Sequence, residues 1–357
     1  MTTPRPVGEP ARLRARWLAA GLLAVLVALV AGLALGPVRL SPVGVFIQVL
    51  DMIPGVHLHS GLTDREAAIV TQLRLPRVCL GLLVGAVLAL AGGCYQGVFR
   101  NRLADPYLLG VAAGAGLGAT IAIAWQHAFQ LLPGVGGPGT PISVPFAAFA
   151  GALIAVALTY VLGAAGGNNR TPATLVLAGV AISAFLAAGQ NYIQQRYVET
   201  ILEVYSWILG RLTTAGWHDV LLLLPFAVVT GVVMLSQRRA LDVMSVGDDE
   251  AESLGLHPAR TRLILVVAAS LATAAAVSVS GLIGFVGIIV PHTVRLMAGS
   301  SYRVVLPLSV LFGAAFLALA DLGARTLAAP NEIPIGVVTA FFGAPFFIAI
   351  MRTSKRV

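Results

Sequence analysis

The chain has 357 residues, of which 58% are hydrophobic and 11% charged, with a mean hydropathy of +0.90. Soluble globular chains carry about 25% charged residues, so a water-soluble protein is excluded. The net charge of +8 comes from 22 Arg and the single Lys355 against 15 acidic residues. These charges sit in short segments between apolar runs, which fits membrane orientation rather than nucleic-acid binding.

An apolar stretch of roughly 20 residues spans a bilayer. The first such run, Trp17 to Gly36, follows Arg5, Arg12, Arg14 and Arg16. It is longer than the apolar core of a signal peptide and ends without a small-x-small cleavage site, so it reads as a retained helix behind a tail at residues 1–16. A polar outer loop is expected at 37–73. Further apolar runs lie near 76–98, 107–124, 144–165, 172–195, 218–236, 261–281, 282–294, 304–326 and 335–351. The expectation is an all-α, polytopic membrane protein of about ten transmembrane helices forming one domain, with little mass left over for a soluble one.

Ten crossings put both termini on one side. With that side cytoplasmic, 16 of the 23 basic residues fall inside, as the positive-inside rule asks. Outside remain Arg39, Arg65, Arg74, Arg77, Arg196, Arg211 and Arg325. Cys79 and Cys94 share one run and lie about 22 Å apart if helical, too far to pair. Val84 to Gly92 and Ala274 to Gly281 form a weak echo in runs entered from opposite sides, as an inverted repeat would give, although helices rich in small residues also resemble one another by chance.

A P-loop needs a Lys within its glycine-rich motif, and Lys355 sits in no such context. The chain therefore cannot itself be a P-loop ATPase, so that if ATP drives it, the ATP with its Mg would be bound by a separate partner. Ion-driven carriers place carboxylates at mid-membrane, and the clear candidate is Asp321. Arg325 lies four residues on, on the same helix face, so the two are expected to pair. Gly110, Gly114, Gly116 and Gly118 lie on a predicted helix with no preceding strand, which suits close helix packing. His57 and His59 form an H-x-H without a third ligand nearby and read as solvated.

The inner segment 237–260 contains Gly247, Asp248, Asp249, Glu250, Ala251, Glu252, Ser253, Leu254, Gly255 and Leu256. Acids after a glycine, then Gly255 and Pro258 as stop signals, predict a short helix with an acidic start. A membrane protein that borrows its motor needs such a lever, although a plain solvated loop helix has the same pattern.

Several blocks in order, Arg74-Leu75-Pro76-Arg77, Gly92-Gly93-Cys94-Tyr95-Gln96, Asn101 to Gly110, Gly247 to Leu256, Ser280 to Gly287, Pro291-His292 and Glu332 to Thr339, resemble the permease family of ABC importers for vitamin B12, haem and iron–siderophore complexes. The resemblance covers residues 74 to about 347. It implies a subunit of the bacterial inner membrane that dimerises with a second copy, carries two ATPase subunits and receives cargo from an extracytoplasmic binding protein. It further implies that Gly247 to Leu256 is the helix coupling to the ATPase, and that Arg74, Arg77 and Arg325, with Asp321 orienting the last, dock the binding protein. A cytoplasmic gate maps onto Thr171, Pro172, Ala173 and Thr174, and Gln190, Asn191, Gln194 and Gln195 would line the pathway. The expected cargo is an iron chelate, siderophore or haem, with vitamin B12 as the alternative in the same class. An ion-coupled secondary transporter is the rival from another class.

Overall fold

The computed structural model describes residues 13–36, 38, 40–52, 58, 60–130, 144–164 and 172–354. Among them every regular element is helical. In chain order these are α1 (Ala15–Ala34), α2 (Pro42–Asp51), α3 (Asp64–Ala68), a π-helical stretch (Ile69–Arg74), α4 (Leu75–Val98), α5 (Val111–Gln130), α6 (Val144–Ala164) and α7 (Pro172–Arg196). Then follow α8 (Ile201–Ile208), α9 (Trp217–Ser236), α10 (Arg238–Met244), α11 (Asp248–Ser253), α12 (Pro258–Ser280), α13 (Val286–Ala298), α14 (Tyr302–Thr326) and α15 (Ile335–Ser354).

Each of the ten predicted apolar runs coincides with a helix. Seven helices of the described residues are long and apolar enough to cross a membrane, while α13 and the described apolar parts of α5 and α15 are shorter. The chain is thus an all-α, multi-pass membrane protein. The segment 37–73 is more structured than a polar loop. Ser41 caps α2 with Pro42 at its first turn, and Thr63 and Glu66 form a capping box that starts α3. The helix containing the second apolar run therefore begins at Asp64, twelve residues before the run itself. Pro76 has no N–H and would crowd the preceding turn, and the π-helical stretch lies directly before it. The Trp217 indole donates to the Thr71 carbonyl in that stretch at 3.0 Å.

Two helices form the centre. In Asp64–Val98 78% of the apolar window is buried and in Pro258–Ser280 72%, against 22% for α1, α7 and α9, which places the first two inside and the others at the periphery. Small residues let the backbones approach. A Cβ built on Gly85 would meet the Gly313 carbonyl of α14 at 2.2 Å, and one on Gly92 would meet that of Gly287 in α13 at 2.1 Å. Gly114 of α5 and Gly151 of α6 meet in the same way, so the glycines of the 110–118 stretch that face α6 do serve packing.

The expected boundary between the runs 261–281 and 282–294 is a break in the helical backbone. The second of these runs forms a helix of 13 residues, about 20 Å long and short of a bilayer core. α13 starts beside Gly92 of α4, and the reversal at 281–285 is irregular backbone with Gly281 and Ile283 buried and Leu282, Gly284 and Phe285 half-buried. Such backbone needs internal partners. The Tyr107 hydroxyl donates to the Ile283 carbonyl at 3.0 Å and accepts its N–H at 3.1 Å, and Arg211 N–H donates to the Ser280 carbonyl at 2.8 Å. Phe285 completes the reversal at φ 68°, with its ring where a Cβ on Gly343 would otherwise sit.

Candidate functional site

Two charged constellations lie at opposite ends of the helix framework. The first gathers Arg74, Arg77, Asp321, Arg325 and Glu332. Arg77 grips Asp321 side-on, with Nε donating to Oδ2 at 3.0 Å and Nη2 to Oδ1 at 2.8 Å, while Nη1 donates to Glu332 Oε1 at 3.0 Å. Arg325 Nε stands 3.9 Å from Asp321 Oδ2. Asp321 and Arg325 do pair, as expected, but the main partner of Asp321 comes from α4, because the guanidinium fork of Arg77 matches both carboxylate oxygens.

Arg74 and Arg325 turn to α1 instead. Arg74 Nη1 donates to the Leu33 carbonyl at 2.7 Å and to that of Ala34 at 3.2 Å, and Nη2 donates to the Val38 carbonyl. Arg325 Nη2 donates to the Gly32 carbonyl. The last carbonyls of a helix lack partners within it and favour positive charge. Two other helices thus cap the end of α1, and both arginines are buried, at 5% and 3% exposure. Of the three predicted docking arginines, Arg77 borders a cavity of about 390 Å³, shared with Tyr205, Ser206, Arg211, Asp321 and Glu332. Arg211 and Glu332 were not singled out from the sequence for this place, although Arg211 stood among the outer basic residues.

The second constellation is the loop around α11. The helix begins at Asp248 and ends at Ser253, as the acid-and-glycine pattern predicts. Gly255, at φ 80°, closes it by donating to the Glu252 carbonyl while Leu256 N–H reaches that of Ala251. The side chains sort by direction. Ala251 is buried, Gly247, Asp248 and Leu256 are half-buried, and Asp249, Glu250, Glu252, Ser253, Leu254 and Gly255 are exposed. Leu254 and Val246 are 73% and 74% exposed, two apolar side chains flanking the outward acids. Asp248 faces the helices, between Arg100 and Arg262.

The remaining predicted positions lie on α7. Thr171 is outside the described residues, as is the Pro172 side chain; Pro172 opens the helix, and Ala173 and Thr174 are exposed in its first turn. The amide stripe divides. Gln190 is half-buried with its Oε1 against Gly116 of α5, and Gln194 is half-buried too, whereas Asn191 and Gln195 are exposed. The predicted His57 and His59 lie outside the described residues.

Comparison with known proteins adds to this geometry. The model of the FecCD transport family matches residues 23–353. The cobalamin import permease BtuC of Halobacterium salinarum is 44% identical, over 83% of this chain and 76% of its own length. The iron(III)-citrate import permease YfmD of Bacillus subtilis is 37% identical, over 87% and 88%. The hemin transport permease HmuU of Yersinia pestis is 34% identical, over 94% and 96%. A solved metal-chelate type ABC transporter in an inward-facing conformation superposes with a TM-score of 0.79 at 27% identity, covering 95% of this chain and all of that one.

Proposed function

The chain belongs to the FecCD transport family, and on that premise we propose that it is the membrane-spanning subunit of an ATP-driven importer for a large metal chelate. The observation that carries this reading is the loop around α11, whose helix turns Asp249, Glu250 and Leu254 outward on a base held against the central helices. It suits a lever seated on a separate ATPase, which would bind the ATP and Mg. Two copies of the chain, two ATPase subunits and a binding protein would form the transporter, with both termini cytoplasmic. Thr171 to Thr174 would gate its inner end, and the exposed Asn191 and Gln195 would face the pathway.

Docking of the binding protein would centre on the cavity beside Arg77. Arg74 and Arg325 would act from behind, by fixing α1 and the helices that carry Arg77 and Asp321. Replacing Asp249, Glu250 and Leu254 together is expected to abolish ATP hydrolysis stimulated by loaded binding protein in the assembled complex. Unchanged stimulation would remove the coupling role from α11.

The iron-chelate reading is supported by relatives named for iron(III) citrate and hemin. One observation favours the corrinoid reading over it: the cobalamin permease stands at 44% identity, against 37% and 34% for those two. Uptake of radiolabelled cyanocobalamin, ferric citrate and hemin into vesicles holding the complete transporter separates the two. Competition by cyanocobalamin alone is the expected result; uptake of an iron chelate untouched by cyanocobalamin would restore the iron reading.

A further inference from the structure

We infer that Asp248 is the positioning residue that joins the coupling helix to the two central helices, by bridging Arg100 at the end of α4 and Arg262 in the second turn of α12. The inference rests on the coupling reading of α11 and names the joint through which that reading would act.

Asp248 Oδ1 accepts from Arg100 Nη2 at 2.5 Å, and Arg262 Nη2 donates to Oδ2 at 3.0 Å and to Oδ1 at 3.2 Å. Arg100 is unusual in its backbone as well. It stands two residues past α4 at φ 49°, a region that residues other than glycine seldom occupy. From there its Nε also donates to the carbonyl of Met244, the last residue of α10, at 2.8 Å. One side chain thereby holds both sides of the turn that leads into α11. The helices reached by the two arginines are themselves tied together, since Tyr95 of α4 and Ser270 of α12 share a buried hydrogen bond of 2.5 Å.

A second carboxylate in the loop shows the contrast. Asp242 on α10 accepts from Ser301 Oγ at 2.7 Å and Tyr302 N–H at 2.6 Å, with Arg303 Nε 3.4 Å away. Both donors and the Arg303 guanidinium belong to the start of α14, so Asp242 caps one helix. The donors to Asp248 come from two different helices, and a displacement of α11 therefore loads α4 and α12 together. Dipole stabilisation alone explains an acid at a helix start, but it does not explain two arginines converging on this one while Asp249 and Glu250 beside it point outward.

The test is a mutant cycle in the permease assembled with its ATPase subunits, with spin labels at the exposed Leu73 and Tyr192, on the helix that runs into α4 and on α7. Asp248→Asn is expected to leave the affinity for the ATPase subunits within about twofold and to reduce the ATP-driven change in label distance by at least half. The pair Arg100→Gln with Arg262→Gln should give the same loss, and the triple variant no more than either. Asp248→Glu, which keeps the charge, should restore most of the change and guards against a folding defect in the Asn variant.

An undiminished distance change in Asp248→Asn would overturn the inference. So would a loss that adds to that of the arginine pair, a glutamate no better than asparagine, or a tenfold fall in ATPase affinity, which would make Asp248 a direct contact. Failure of the underlying coupling reading looks different: the Asp249, Glu250 and Leu254 variant would then keep both affinity and stimulated hydrolysis.

Discussion

Replacing Asp321 with Ala is expected to lower stability by about 3–5 kcal/mol, read as a drop in the thermal unfolding midpoint of the detergent-solubilised permease. The carboxylate is 2% exposed and accepts the side-on fork of Arg77, with Arg325 close behind. Removing it leaves the buried guanidinium of Arg325 and the largely buried one of Arg77 beside Arg74, with Glu332 as the remaining carboxylate on Arg77. The cost is that of stranded charge rather than the worth of one contact. For that reason Asp321→Leu combined with Arg77→Met should cost less than Asp321→Leu alone, since the double variant no longer strands Arg77 and leaves only Arg325 without its carboxylate. Equal or additive losses would show that Asp321 acts through Arg325 or through packing alone. Arg77→Met by itself should be the milder single change, because Arg325 remains near Asp321.

What could be read from the residues divides by distance along the chain. The apolar runs and the acidic helix ending at Gly255 are local signals, and each formed the element its pattern specified. The partners of the arginines are not local. Arg77 and Asp321 are separated by 244 residues, so sequence proximity favoured Arg325, the neighbour that stands at 3.9 Å. Nothing in the spacing of Arg74 and Arg325 indicates that both end on the carbonyls of α1, because a helix end needing a cap leaves no mark at the residue that supplies it.

The division of the chain at 281/282 was legible, whereas the way the reversal is held was not. Leu282, Ile283 and Phe285 are apolar, and the reversal depends on a hydroxyl from Tyr107, far along the chain. The amide stripe on α7 has the right helical spacing, yet spacing alone cannot say which edge meets a neighbour. Gln190 meets Gly116, and a helix composed of small residues offers no side chain that would have forecast it.

Gly85→Ala is expected to be far more damaging than its single methyl suggests. The new Cβ would lie 2.2 Å from the Gly313 carbonyl oxygen and 2.7 Å from Leu317 Cβ, and the first of these is backbone, which no rotamer change can move. α4 and α14 would have to separate along a contact that also holds Gly313 against Ala89. Overpacking of this kind costs about 1–3 kcal/mol, and here the upper end is expected because both walls are helix backbone. Gly231→Ala supplies the opposite sign. Its Cβ meets only Leu90 Cδ2, at 3.9 Å, and an alanine inside a helix is favoured over glycine by about 0.5–1 kcal/mol, so this variant should be as stable as the parent or slightly more so. The pair is measured side by side as unfolding midpoints and as the yield of monodisperse protein after extraction. If Gly85→Ala matched the parent, close backbone contact between α4 and α14 would not be what holds the centre together. If both variants fell equally, glycine would be serving flexibility in these helices rather than proximity.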